Sequence, residues 1–301
     1  MSAMRYADLG PEFSTRVLHD VPMSKHTSWH TGGPADLFFT PRDGMDLAAF
    51  VRQLPIEVPL LWIGLGSNLL VRDGGVRGAV VSTHGALGSL ERSSATRIYA
   101  GAGVPCARIA RQCVKWGLGP AEFFAGIPGT LGGALAMNAG AFGGETWRHV
   151  IEVDVLDRRG ARHTRQPSDY EISYRHVRGP GDEWFIGARL EFERKPGLND
   201  AGMRELLERR KQTQPIGEWS CGSVFTNPPG DHAARLIESA GLKGLRIGDA
   251  SVSAKHANFI INHGAARAAD IEALILRVQR TVAEFHHIEL QTEVRIVGEP
   301  A

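Results

Sequence analysis

Apolar residues in the first third of the chain fall into short clusters broken by proline, glycine and asparagine, a rhythm of strands and turns rather than long helices. Asp36-Leu37-Phe38-Phe39-Thr40 predicts a strand. After Pro41-Arg42-Asp43 the period lengthens: Leu47, Phe50, Val51 and Leu54 share a helical face, and Pro55 stops the helix. Strands at Leu60–Ile63 and Ala79–Ser82 complete a β-α-β-β unit. A second region opens on the strand Arg97–Gly101. A helix follows in which Cys106, Ile109, Ala110, Cys113 and Val114 line one face, ending at Gly117. Strands at Val150–Asp157 and Trp184–Phe192 come next. Leu198-Asn199-Asp200 starts a helix through Leu206, Leu207 and Arg210, the hinge into a third region. There Asp231 is placed to cap a helix carrying Ala234, Leu236 and Ile237, stopped by Gly241. A strand Ala257–Asn262 precedes a long helix, Ala268 to Phe285, apolar at Ile271, Leu274, Ile275, Val278 and Val282. The closing strand, Ile288–Val297, carries Leu290, Val294 and Ile296 on its apolar face. The pattern predicts an α+β fold in three consecutive parts, residues 1–86, 87–197 and 198–301.

Composition changes this picture little. At 301 residues, 43% hydrophobic and 22% charged, the chain reads as an ordinary globular protein of two or three domains. A formal net charge of +1 gives no excess that would point to nucleic acid or an anionic membrane. Met1–Asp8 contains no apolar run of the secretory kind, and three cysteines without metal spacing fit small core residues in a reducing cytoplasm.

One stretch stands out. From Phe123 to Gly144 there are 22 residues without a charge, seven of them glycine. A membrane span can be that long and uncharged, but this glycine density, with Pro128 and Asn138 inside, would make a poor helix. Two uses remain: backbone approaching a bulky ligand, or a purely structural glycine-rich turn. A second such loop, Gly64-Leu65-Gly66-Ser67-Asn68-Leu69, follows the strand Leu60–Ile63. It is not the dinucleotide fingerprint, because Leu69 stands where the third glycine would be. Two such loops together point to one large phosphate-bearing ligand.

Other candidates each have two readings. Ser223, beside Gly222, is either a proton donor or a turn serine bonded to nearby backbone. Arg175 can fork onto a carboxylate or lie solvated in a loop. By alternation Glu293 shares a polar strand face with Glu289, Gln291 and Arg295, as a catalyst or a solvated cross-strand partner. Lys211 reads equally as a helix end. None of the twelve histidines joins a cluster with metal spacing, so no metal site is expected.

In this order, the segments Gly64–Leu69, Ala125–Gly133 and Asn138–Gly143 resemble the flavin-binding loops of the UDP-N-acetylenolpyruvoylglucosamine reductase (MurB) family. Ser173-Tyr174-Arg175, Gly222-Ser223-Val224-Phe225-Thr226-Asn227-Pro228, Ala254-Lys255-His256-Ala257-Asn258-Phe259 and Thr292-Glu293-Val294-Arg295 resemble its active-site segments. The resemblance runs from about Thr27 to Gly298. It implies a two-part FAD-binding region of the vanillyl-alcohol-oxidase/PCMH type (1–86 and 87–197) and a C-terminal α/β substrate domain (198–301). It also implies noncovalent FAD held by Gly64, Gly66, Ser67, Asn68, Leu69, Gly126, Ile127, Pro128, Gly129, Gly132, Gly133, Asn138, Ala139 and Gly140. NADPH would reduce that FAD, and the enolpyruvyl ether of UDP-N-acetylglucosamine would then take hydride at C3, giving UDP-N-acetylmuramate for peptidoglycan. Arg175 would stabilise charge on the substrate carboxylate, Glu293 would act beside it as an acid, and Ser223 would protonate C2. Tyr174, Lys211, Asn227, Lys255 and His256 would contact the UDP-sugar. The resemblance leaves oligomeric state open.

Two features depart from the family pattern. Val177 stands where a small polar residue commonly follows the Tyr-Arg pair, which leaves the local backbone open. Only 36 residues separate Tyr174 from Lys211, too few for the substrate-covering loop of longer members. Two competing readings are a flavin oxidase or dehydrogenase of the same FAD fold acting on another substrate and a non-catalytic nucleotide-binding module.

Overall fold

The computed structural model describes residues 9–301; the reading of Met1–Asp8 lies outside the described residues. The chain divides into two compact units that interleave in sequence. One contains the residues up to Val21, Asp36–Gly64 and Gly78–Asn199; the other contains Pro22–Ala35, Leu65–Arg77 and Asp200–Ala301.

The first unit is built on two sheets. One runs in the order Leu18–Pro22, Pro34–Phe39, Val76–Ser82, Leu60–Ile63, with Leu60–Ile63 parallel to Ala79–Ser82. The helix Gly44–Gln53 covers it, because Leu47, Ala48, Phe50 and Val51 recur at helical spacing and all are buried. Asp43 accepts N–H bonds from Met45 and Asp46 at the start, and Pro55 lies just past the end. Phe50 stacks on Phe39 at 4.1 Å and meets Phe13 edge-on at 5.6 Å, an aromatic centre for this core. The second sheet is antiparallel, in the order Arg162–Arg165, Val150–Asp157, Glu183–Glu191, Arg97–Gly101, Leu90–Arg92. The helix Cys106–Trp116 buries the five residues its periodicity selects. All three cysteines are buried free thiols, and burial pushes Cys113 and Cys221 up to about 12.

The glycine-rich run is not helix-free. Leu131–Ala136 forms a short helix, since Leu131, Ala134 and Leu135 are buried and Gly132 packs flush on Ala102. Packing outweighs poor propensity over one and a half turns.

The second unit packs the helices Ala233–Ser239 and Ala268–His286 over a three-stranded antiparallel sheet of Arg246–Ile247, Ala250–Val252 and Ile260–Asn262. Asp73 caps the long helix, its two carboxylate oxygens each accepting at 2.9 Å from Ala268 and Ala269 N–H. Three expectations are corrected here. Asp231 does not cap the helix Ala233–Ser239: its carboxylate pairs with Arg235, and the Asn227 side-chain carbonyl takes the Ala233 N–H at 3.0 Å. The strand expected at Ala257–Asn262 is only Ile260–Asn262. The closing strand is only Arg295–Val297, which pairs in parallel with Leu69–Val71. Leu290 and Val294 are buried as expected, but by packing on the helices rather than by a ladder. Glu293 therefore does not sit on a regular strand face.

Among the described residues no helix is long and apolar enough to cross a membrane. Among them no group of three His, Cys, Asp or Glu side chains is placed to hold a metal ion.

Candidate active site

The sequence-selected residues fall into two sets, one in each unit. In the first unit, the strand Leu60–Ile63 delivers Gly64 against the Thr130 side chain. A Cβ on Gly64 would lie 2.3 Å from Thr130 Oγ1, so only glycine allows this approach. Thr130 is 1% exposed, and its hydroxyl has no hydrogen-bond partner in the protein. A buried unpaired hydroxyl is costly unless something else satisfies it. Gly133, in contrast, is exposed, with nothing within 4 Å of where its Cβ would be. An uncharged cradle with an open glycine and an unspent buried hydroxyl fits a large, partly polar cofactor such as FAD. Local sequence gives no sign that Thr130 lacks a partner, and sequence reasoning passed over it.

Downstream, Asn138 is buried at 3% exposure with φ +46. Its Oδ1 accepts the Trp147 N–H at 3.1 Å, and its Nδ2 donates to the Ser173 carbonyl at 3.1 Å. Ser173 ends one arm of a hairpin, Glu171–Ser173 with His176–Arg178, whose two-residue tip is Tyr174-Arg175. Arg175 occupies φ +55, a conformation that side-chain-bearing residues adopt at a cost. Its guanidinium donates to the carbonyls of Asn138 at 3.3 Å and Gly140 at 2.9 Å and lies 5.1 Å over the Tyr174 ring. The glycine-rich loop and the Tyr-Arg pair thus hold each other. Val177 does not disturb the hairpin: it pairs with Ile172 in a regular ladder.

In the second unit, the Gly66 carbonyl accepts from the Ser28 N–H at 3.1 Å and from the Cys221 thiol at 3.6 Å. The Ser67 N–H of the same planar peptide therefore points away from that contact. Asn68 bonds the Glu293 carbonyl through its Nδ2, and its own carbonyl accepts the Arg295 N–H at 3.1 Å. Ser223 follows Gly222, at φ +73, and is half-buried, as is Glu293. The Glu293 N–H donates at 2.8 Å to the carbonyl of Val224, the residue after Ser223.

The expected substrate contacts lie in both units. Tyr174 is 46% exposed in the first unit. In the second, Lys211 is exposed near the end of the helix Asp200–Thr213, and Lys255 Nζ donates to its carbonyl at 2.6 Å, a cation on a helix C-terminus. Asn227 spends its oxygen on the helix cap described above. His256 meets Phe259 edge-on at 4.8 Å, and its buried Nδ1 has no hydrogen-bond partner in the protein. Burial holds its pKa below the usual histidine value, so the ring is neutral at pH 7.

Comparison with known proteins places this geometry. Residues 35–165 match the family described as FAD binding domain, and residues 214–297 match UDP-N-acetylenolpyruvoylglucosamine reductase, C-terminal domain. The expected α+β fold class, an FAD-binding region followed by a C-terminal substrate domain, stands, and the chain is an FAD-containing oxidoreductase. The Alkalilimnicola ehrlichii UDP-N-acetylenolpyruvoylglucosamine reductase is 58% identical over 284 residues, 93% of this chain and 94% of that protein. The Methylococcus capsulatus reductase is 54% identical over 301 residues, covering 99% and 97%. The crystal structure of the Thermus caldophilus reductase superposes with a TM-score of 0.81 at 34% identity, over 93% of this chain and 98% of that one. The chain belongs to the UDP-N-acetylenolpyruvoylglucosamine reductase family.

Proposed function

We propose that this chain reduces the enolpyruvyl ether of UDP-N-acetylglucosamine to UDP-N-acetylmuramate, with NADPH as reductant, in the cytoplasmic synthesis of peptidoglycan precursors. The reduction itself follows from family membership; the reductant, the compartment and the residue roles are our reading. FAD, when bound, supplies the hydride. Gly64, Gly66, Ser67, Asn68, Leu69, Gly126, Ile127, Pro128, Gly129, Gly132, Gly133, Asn138, Ala139 and Gly140 would hold it. Thr130 would give its unspent hydroxyl to the same group.

The remaining work falls to side chains. As C3 of the enolpyruvyl group gains hydride, negative charge develops at C2 and spreads into the carboxylate. A cation fixed in advance stabilises that charge at no reorganisation cost. Arg175 suits the role because two backbone carbonyls and a tyrosine ring hold its guanidinium. Glu293 acts as an acid beside the same carboxylate, and Ser223 protonates C2 as general acid. Tyr174, Lys211, Asn227, Lys255 and His256 contact the diphosphate, sugar or uridine, with His256 Nδ1 left to bond a ligand.

The observation that carries the reading is the grip of the Asn138–Gly140 carbonyls on Arg175, which ties the substrate's cation to the cofactor loop. The yellow holoenzyme with NADPH and enolpyruvyl substrate should yield UDP-N-acetylmuramate by mass spectrometry. Bound FAD without that product would overturn the reading.

A further inference from the structure

We infer that Asn258 is the positioning residue that keeps Ser223 and Glu293 in register for protonation of the substrate, an inference resting on the roles proposed for that pair. Asn258 is 4% exposed, in the middle of the second unit's core. Its side chain treats Phe225 as a strand would: Oδ1 accepts the Phe225 N–H at 2.9 Å, and Nδ2 donates to the Phe225 carbonyl at 2.8 Å. Its own backbone carbonyl accepts the Val224 N–H at 2.9 Å. Three bonds from one residue thus fix the two residues that follow Ser223.

The opposite side of that segment is equally engaged. The Val224 carbonyl accepts the N–H groups of Glu293 at 2.8 Å and Val294 at 3.3 Å, and the Thr226 N–H donates to Gln291 at 3.0 Å. Residues 224–226 are therefore clamped between Asn258 on one edge and the Glu293 segment on the other. A regular strand beside Phe225 would do the same holding, but the ladder starts only at Ile260. A buried amide is costly unless both its donor and its acceptor are satisfied, and here each bonds the same peptide neighbour. Loosening that grip would let the hydroxyl of Ser223 and the carboxyl of Glu293 drift separately, and misplacement of about 1 Å can cost ~10²-fold in rate.

A purely structural asparagine would look similar in the fold, so the test needs a control. Asn262 is 3% exposed in the same unit and equally bonded, to the Trp29 carbonyl and the N–H groups of Gly264 and Ala266, and none of these bonds reaches 224–226. The experiment compares holoenzymes carrying Asn258→Asp, Asn258→Ser, Asn262→Asp and Ser223→Ala. In each, reduction by NADPH and reoxidation by the enolpyruvyl substrate are followed separately by stopped flow. Both Asn258 variants should slow reoxidation by ~10- to 10²-fold with reduction unchanged, whereas Asn262→Asp should leave the two rates in their native ratio. Slow reoxidation in Ser223→Ala but not in the Asn258 variants defeats the positioning role alone; native reoxidation in Ser223→Ala removes the parent reading and this one with it. Amide hydrogen exchange on the unmutated holoenzyme decides the matter if the variants do not fold. The N–H groups of Val224, Phe225 and Glu293 should open together, and independent exchange of Glu293 would overturn the proposal.

Discussion

The Asn68 side chain donates a 3.0 Å hydrogen bond to the backbone carbonyl of Glu293. A residue of the glycine-rich loop thus holds the residue proposed as acid, and the next parallel pairing, Arg295 with Leu69, extends the tie. This glycine-rich loop and the Glu293 segment are built as one piece of the second unit.

Ser223→Ala should separate the reaction's two halves. In its proposed role the hydroxyl serves only protonation at C2, so bleaching by NADPH should proceed at the native rate while reoxidation by substrate slows by at least ~10². Glu293→Gln should act on the same half. Stopped-flow absorbance of each half checks this; slow bleaching with native reoxidation would return Ser223 to the role of a turn residue.

Two glycine substitutions should fail for different reasons. Gly66 lies at φ +62, and a Cβ there would sit 2.0 Å from the His26 carbonyl oxygen, so Gly66→Val should lose flavin by damaging the fold, at a cost of at least ~1–3 kcal/mol. Gly133 faces open space inside a short helix, and Gly133→Ala should stabilise the flavin-free protein by ~0.5–1 kcal/mol while weakening flavin retention. Thermal melts with and without added FAD, beside the flavin content of each variant, distinguish the cases. Full flavin occupancy in Gly133→Ala would show that this face is not part of the cradle.

Arg175→Lys should not be conservative. A lysine ammonium cannot reproduce the fork onto the Asn138 and Gly140 carbonyls, so substrate-driven reoxidation should fall by ~10² or more. Native turnover in the lysine variant would argue that any cation at this position suffices.

Acid should destabilise the fold through its partly buried histidines. Burial lowers the pKa of His256, and also of His26 and His149, so from about pH 6.5 downward the unfolded chain takes up protons that the folded chain refuses. Stability should therefore be full above pH 7 and fall as pH drops through that range. Urea titrations at several pH values should show it, with a shallower decline in His256→Gln. An identical decline in that variant would remove His256 from the explanation.

Local periodicity made much of the fold legible. Val150–Asp157, Leu60–Ile63 and Arg97–Gly101 occur at their expected bounds, and the cysteine helix buries its expected face. The misreadings share a cause. Alternation at Leu290 and Val294 reported burial correctly but could not say whether a ladder or helix packing supplied it. Asp231 stands one residue before the N-cap position, His232, and its carboxylate pairs with Arg235, whereas Asn227 reaches forward from before a Pro-Pro turn. The candidate site residues could be picked out through family motifs, but their mutual support could not. The Arg175 grip on Asn138 and the Asn258 clamp on Phe225 join positions far apart in sequence, where no spacing rule applies.

The parallel pairing of Arg295–Val297 with Leu69–Val71 also dictates an order of assembly. Asn68 and Glu293 lie 225 positions apart, and closing so long a loop gains its first stabilising contact only after the whole intervening chain exists. During synthesis the Gly64–Leu69 loop leaves the ribosome early and waits, unsupported on that edge, until residues 293–297 emerge. Firm capture of the flavin should therefore be a late event in the life of each molecule, after translation of Val297 rather than during it.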